Sequence, residues 1–233
     1  MNKMLVCDFD GTIETSSKFI TKLNFSAIKK FREHGNKLVI ASGRHFKSLK
    51  KKLDYYECQY DALICNGGCV GININNTPIF EFGFKDQEIS QIEYCFYGID
   101  KNIKYNIHFY NYNGATTRDN NPIEIVFRIQ SPANYNLVYN TLRFNLFNYD
   151  YRIHNNCIYV RKNLSKSDGI YEINKLFEIN DNNIYTIGNG KGDFEMIRDY
   201  NGYNVLFSHQ SLNSVSKGTV LNVAKLVKKI ETK

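Results

Sequence analysis

Two carboxylates one residue apart, Asp8 and Asp10, flank Phe9 and run straight into Gly11 and Thr12. The glycine permits the chain to turn so that both acids face one site. One can then attack an electrophile while the other moves protons or helps to hold a cation. A surface turn with capping aspartates is the plainer alternative, but the apolar run over residues 3–7 that feeds the pair argues against it. Ser42-Gly43-Arg44 follows a second apolar run, over residues 37–41. A hydroxyl and free backbone N–H groups at such a junction make an anion pocket, although alone they also read as a helix cap. The third cluster, Gly188-Asn189-Gly190-Lys191-Gly192-Asp193, again follows an apolar run. Its alternate glycines let backbone approach a ligand closely, yet it lacks the Gly-x-x-x-x-Gly-Lys-Ser/Thr of a P-loop and the position of a dinucleotide fingerprint.

All three clusters end strand-like runs, so the fold must bring strand ends together. Runs 3–7, 37–41 and 61–65 read as buried strands. Between them lie helical spacings: Phe25, Ile28 and Phe31 closed by Gly35, then Phe46, Leu49 and Leu53 with Lys50-Lys51-Lys52 as a solvated face. Strand–helix alternation predicts parallel strands with right-handed crossovers, whose C-terminal ends take ligands.

The middle changes character. A helix over 87–97 carries Ile89, Ile92 and Phe96, and strands over 103–110 and 123–130 are separated by a polar loop over 111–121. A helix over 135–147 carries Leu137, Val138, Leu142 and Leu146, and short strands over 151–153 and 158–160 join through Asn155-Asn156. This α-β-β-α-β-β pattern predicts an antiparallel sheet foreign to its surroundings. The alternation then resumes: a helix over 166–177, a strand over 184–187, a helix over 194–200 and a strand over 203–207. A last helix over 221–230 has Leu221, Ala224 and Val227 on its apolar stripe. The fold class expected is α/β, a Rossmann-like parallel-sheet core over 1–82 and 162–233, interrupted by a small α+β cap over 83–161.

Taken in order, the clusters resemble the motifs of haloacid dehalogenase (HAD) superfamily phosphatases, in the Cof-like branch with a type IIB (C2) cap. Asp8-Phe9-Asp10-Gly11-Thr12 matches the first motif and Ala41-Ser42-Gly43-Arg44 resembles the second. Asn66-Gly67-Gly68 is similar to the step that precedes the cap, and Ser165 to Gly169 to the lysine motif that follows it. Residues 188–196 resemble the acidic fourth motif. The resemblance implies Asp8 as the nucleophile that becomes an aspartyl phosphate, and Asp10 as the acid that protonates the leaving alcohol and then activates water. It implies Ser42, Gly43 and Lys166 around the phosphoryl group, and Mg²⁺ held by Asp8, Asp10 (through its carbonyl), Asn189 and Asp193. In the cap, Arg118 and Asn120, with His108 and Arg128, are candidates for substrate contact; a solvated exterior is the plainer reading of each.

One position departs from the pattern. Asn189 stands where the family's first metal-binding Asp is usual, and a neutral amide is a weaker ligand for Mg²⁺ than a carboxylate. Three outcomes compete: weaker metal binding with activity kept, compensation by Asp193, or loss of catalysis. Besides the phosphatase, two alternatives stand: a phosphomutase sharing this fold and cap type, and, because of Asn189, a degenerate phospho-ligand binding or regulatory protein.

Composition narrows the classes. The chain has 233 residues, 42% hydrophobic and 23% charged, which suits a globular fold. No apolar run reaches the ~18 residues of a membrane span, and Asp8 arrives before a signal-peptide core is complete, so a cytoplasmic protein without membrane association is expected. The net charge of +7 is spread along the chain, which fits a small phosphate ester better than a nucleic acid. Six cysteines without a Cys-x-x-Cys and five isolated histidines point to free thiols rather than disulfides or zinc. A monomer or homodimer is expected.

Overall fold

The computed structural model describes residues 2–97, 104–130 and 134–232. They form two compact units, Met1–Phe80 with Ser165–Lys233, and Glu81–Leu164.

The first unit runs β1 (Met4–Asp8), α1 (Lys18–Glu33), β2 (Lys37–Ala41), α2 (Phe46–Tyr55), β3 (Ala62–Cys65), β4 (Val70–Asn73) and β5 (Pro78–Glu81). After the second unit it resumes with α5 (Lys166–Phe177), β11 (Ile184–Gly188), α6 (Phe194–Asp199), β12 (Asn201–Val205), β13 (Thr219–Val220) and α7 (Val223–Glu231). Its sheet has the order β13-β12-β11-β1-β2-β3-β4-β5. From β13 through β3 neighbours are parallel, and β3 with β4 is antiparallel. Strands covered on both faces need apolar residues at nearly every position, and the runs of β1, β2, β3 and β11 satisfy that. On one face Met4, Val6, Val39, Ile64 and Ile184 pack with Ile170, Ile173 and Met196 of α5 and α6. By alternation Leu5, Cys7, Leu38 and Ile40 face the opposite layer. After β1 the chain crosses to β2 on one side, and β11 later takes the other. The crevice above the end of β1 is therefore a topological switch point, the place where such sheets bind ligands.

The second unit holds α3 (Asp86–Tyr97), β6 (Tyr105–Asn111), β7 (Gly114–Thr116), β8 (Glu124–Ile129), α4 (Tyr135–Asn145), β9 (Tyr149–His154) and β10 (Cys157–Lys162). Its antiparallel sheet, β7-β6-β8-β10-β9, buries Ile125, Phe127, Ile129, Ile158 and Val160 against Ile89, Ile92, Val138 and Leu142 of the two helices.

Several elements differ from the sequence expectation. β4 and β5 were not expected: the glycine in Val70-Gly71-Ile72-Asn73 breaks the strand pattern, but its missing side chain makes room for the Phe80 ring. The polar loop over 111–121 contains β7. The strand expected over 203–207 starts at Asn201 and stops at Val205, with Phe207 97% exposed at φ +65°. The last helix buries Val223, Leu226, Val227 and Ile230, and Leu221 is exposed ahead of the Asn222 cap. The helix over 135–147 ends at Asn145. Ile103 and the Phe96 side chain lie outside the described residues.

Candidate active site

The site grows from the end of β1. Asp8 is its last residue and is buried. Gly11, at φ +80°, then turns the chain; a Cβ there would lie 2.2 Å from the Asn189 amide nitrogen, so only glycine allows that approach. The Asn24 side chain, buried in α1, donates to the Thr12 and Ile13 carbonyls and accepts from Ala224 N, pinning the turn to α1 and α7.

Lys166 opens α5 behind the Ser165 cap, whose hydroxyl and the Asp168 carboxylate form a capping box. That cap aims Lys166 inward, where it is 6% exposed. Its Nζ donates to Asp8 Oδ1 at 2.5 Å and to Asp193 Oδ1 at 2.6 Å. Asp193 Oδ2 accepts the backbone N–H groups of Asn189 at 2.9 Å and Gly190 at 2.8 Å, which folds the glycine loop around it. Asn189 Oδ1 accepts from the Thr12 hydroxyl at 3.1 Å. The structure thus brings Asp8, Lys166, Asn189 and Asp193 together from three separate parts of the chain.

Burial is the main influence on Asp8; with Asp193 beside it, it outweighs the Lys166 ammonium and pushes the carboxyl up to about 6. Burial works against the Lys166 charge too, but the two carboxylates outweigh it and the ammonium is held above its ordinary value.

Ser42, buried at the end of β2, accepts from Arg44 N at 3.1 Å, which leaves its hydroxyl proton as a donor. Gly43 is exposed beside it. Asn66 N donates to the Arg44 carbonyl and Gly67 N to the Ser42 carbonyl, so the turn after β3 braces this loop. The Asp10 carboxylate is gripped by Arg44 through Nε at 2.8 Å and Nη2 at 2.7 Å, a bidentate pair. Sequence reasoning left Arg44 without a role, as it did Thr12, Asn24 and Glu14. For Arg44, a donor three residues past a strand end was the one available signal.

In the second unit Arg118 is engaged at all three guanidinium nitrogens, with Asp86 at 2.6 Å, Ser90 at 2.6 Å and Glu93, and so ties the loop after β7 to α3. Three of its five N–H groups are thus engaged within this unit, and 31% of the side chain stays exposed. Asn120 donates to Thr117 and is exposed. His108 and Arg128 stand exposed on the sheet face opposite α3 and α4.

Among the described residues no three His, Cys, Asp or Glu side chains are grouped to hold a metal. The donors that are grouped, Asp8, Asp193 and the Asn189 amide, are all oxygens, and two carboxylates against one ammonium leave one negative charge. Oxygen donors with residual negative charge suit a hard cation such as Mg²⁺, with one carboxylate fewer than three to hold it.

A family model described as haloacid dehalogenase-like hydrolase matches residues 5–149. The chain belongs to the haloacid dehalogenase-like hydrolase family. A provisionally named phosphatase of Buchnera aphidicola subsp. Schizaphis graminum is 34% identical over 90 residues, 39% of this chain. That match spans 32% of the Buchnera protein's own length. Among solved structures, a Thermotoga maritima protein superposes with a TM-score of 0.78 at 14% identity, covering 100% of this chain and 98% of its own. A Bacteroides thetaiotaomicron phosphatase of the superfamily gives 0.74 at 18% identity, with 100% and 95% covered. A subclass IIB sugar phosphatase gives 0.70 at 15%, with 99% and 98% covered. The likeness to these structures is one of fold: a core with a parallel sheet and a separate antiparallel cap.

Proposed function

We propose that this hydrolase is a Mg²⁺-dependent phosphatase acting on a small organic phosphate monoester, a sugar phosphate or similar, in the cytoplasm. The observation that carries the reading is the buried Asp8 carboxylate at the switch point, bridged through Lys166 to Asp193.

In this mechanism an Asp8 oxygen attacks phosphorus, and the bond to the leaving alcohol oxygen breaks. Asp10 gives that oxygen a proton, and the phosphoryl group is left on Asp8. Asp10 then takes a proton from water, whose oxygen attacks the same phosphorus and restores Asp8. Lys166 and the Ser42 hydroxyl donate to the phosphoryl oxygens, where preorganised donors stabilise the charge that develops. Asp8, the Asp10 carbonyl, Asn189 and Asp193 would hold Mg²⁺, which offsets repulsion between the carboxylate and the phosphate dianion when bound. Arg44 must release or share Asp10 as the leaving group arrives.

A panel of sugar phosphates, nucleotides and short organic phosphates, with and without Mg²⁺, tests the reading. Turnover is expected with Mg²⁺, and Asp8→Asn is expected to remove it; full hydrolysis by Asp8→Asn would overturn the nucleophile assignment. Asn189→Asp adds the missing carboxylate, so calorimetry should show tighter Mg²⁺ binding. An unchanged affinity removes Asn189 from the metal shell. Asn189 also favours a second reading, a phospho-ligand binding protein, which ligand binding without turnover across the panel would select.

A further inference from the structure

The turn that carries Asp10 is closed on itself. Gly11 N donates to the Glu14 carbonyl at 2.7 Å, Ile13 N and Glu14 N donate to the Phe9 carbonyl at 3.1 and 2.9 Å, and Asp10 pairs with Glu14 as a β-bridge. Whatever fixes Glu14 therefore fixes the backbone at Asp10. The Glu14 carboxylate is 18% exposed and does not face open solvent. Lys52 Nζ donates to both its oxygens, at 2.8 and 3.0 Å, and the Tyr56 hydroxyl to Oε1 at 2.8 Å. Tyr56 is itself stacked on Phe25 of α1, ring centroids 4.5 Å apart. Burial and the neighbouring carboxylate push the Tyr56 hydroxyl up to about 12, so it remains a donor across the working range.

Lys52 lies in α2, Tyr56 caps its C-terminus, and Arg44 immediately precedes its N-cap, His45. One helix thus grips the turn twice, at the Asp10 carboxylate through Arg44 and at Glu14 through Lys52 and Tyr56. The lysine run that reads as a solvated face in the sequence has Lys52 turned to this task, while Lys50 pairs with Asp54 within the helix. We propose that Glu14, clamped by Lys52 and Tyr56, is a positioning residue that sets where Asp10 stands relative to the leaving oxygen. The proposal rests on the reading of Asp10 as the proton donor.

A clamp that only stabilised the fold would lower turnover of every substrate alike. One that positions an acid matters most where the leaving group needs a proton. An alkoxide does; nitrophenolate leaves without one. The measurement is kcat/KM, which reports steps only as far as phosphorylation of Asp8, for para-nitrophenyl phosphate and for an alkyl phosphate that the wild-type protein turns over. Glu14→Gln and Lys52→Met should each lower the alkyl value by about tenfold or more, since small misplacement of a catalytic group can cost ~100-fold. The nitrophenyl value should fall by less than about twofold. Lys52→Arg, which restores the ion pair, should recover most of the alkyl rate. Equal losses on the two esters, or no loss on either, overturn the proposal. Lys52, with 41% of its side chain exposed, gives the same comparison if Glu14→Gln folds poorly. A wild-type protein inert toward every phosphate ester of the panel overturns the phosphatase reading and the clamp with it; a wild type active on both test esters whose variants lose equally overturns the clamp alone.

Discussion

At the scale of single residues, the site is a contest between burial and charge. Asp8 is taken out of water at a cost that the Lys166 ammonium offsets only in part, because that ammonium also serves Asp193. Its carboxyl stands at about 6 where 3.8 is ordinary. A folded-state value above the unfolded one means that ionising Asp8 costs stability: the cost is absent below the unfolded value and fully present once pH passes about 6. Metal-free Asp8→Asn should therefore be more stable than wild type at neutral pH, with the gap closing as the solution is acidified toward pH ~4. Denaturant unfolding across that range reads the gap directly, and a gap that widens on acidification would contradict the assigned shift. Such strain at a buried carboxylate is what a reactive group held for a ligand should show. From sequence, Lys166 alone reads as an exposed helix-start lysine; burial at 6% exposure is a consequence of where α5 docks.

At the scale of elements, strand ends do the positioning and side chains between strands keep them in place. Asp61, just before β3, accepts from Arg32 of α1 at 2.8 Å, from Leu38 N of β2 at 2.9 Å and from Lys37 at 3.2 Å. Burial pushes its carboxyl up, but Arg32, Leu38 N–H and Lys37 together outweigh that and hold it below the usual range. A depressed folded-state value contributes stability that is present above the unfolded value and lost as pH falls through the folded one. Asp61→Asn should cost about 2 kcal/mol at neutral pH, the scale of a hydrogen bond to a charged group, and progressively less on acidification. Urea midpoints of the two proteins at several pH values check this. The elements themselves were legible where apolar runs were continuous, as in β1, β2, β3 and β11. They were not legible in β4 and β5, where a glycine, a proline and adjacent asparagines hide strands whose pairing depends on Phe80 filling the space over Gly71. The phase of α7 was misread for a related reason: Leu221 and Ala224 fit a helical stripe, but Asn222 caps the helix and turns the stripe to Val223, Leu226 and Ile230.

At the scale of the whole molecule, each unit has its own apolar core, one around Val6, Val39 and Ile170, the other around Phe127, Ile158 and Leu142. Small units bury a smaller fraction of their surface and are correspondingly less stable. Amide exchange should accordingly release β6, β8 and β10 as one block, earlier than β1, β2 and β11. Simultaneous exchange of both sheets would show a single cooperative unit. Mg²⁺, if held at the end of β1, should raise the melting temperature with concentration, since a ligand of the native state stabilises it by mass action. The charge of +7 takes a different meaning at this scale: Arg44, Lys52, Arg118, Arg161 and Lys166 are each committed to a carboxylate, so the surplus forms no single basic patch out of them.

The sequence by itself determined the alternation of apolar runs and helices, the break in that alternation, and the chemistry-bearing triplets at run ends. Those are local properties, carried by side-chain periodicity and by glycine. Only the tertiary structure decided which groups meet: Lys166 between Asp8 and Asp193, Thr12 on Asn189, Arg44 on Asp10, and Lys52 with Tyr56 on Glu14. The reason is physical. A charged side chain looks alike in sequence whether solvated or paired, and only docking of distant elements removes the water and supplies the partner.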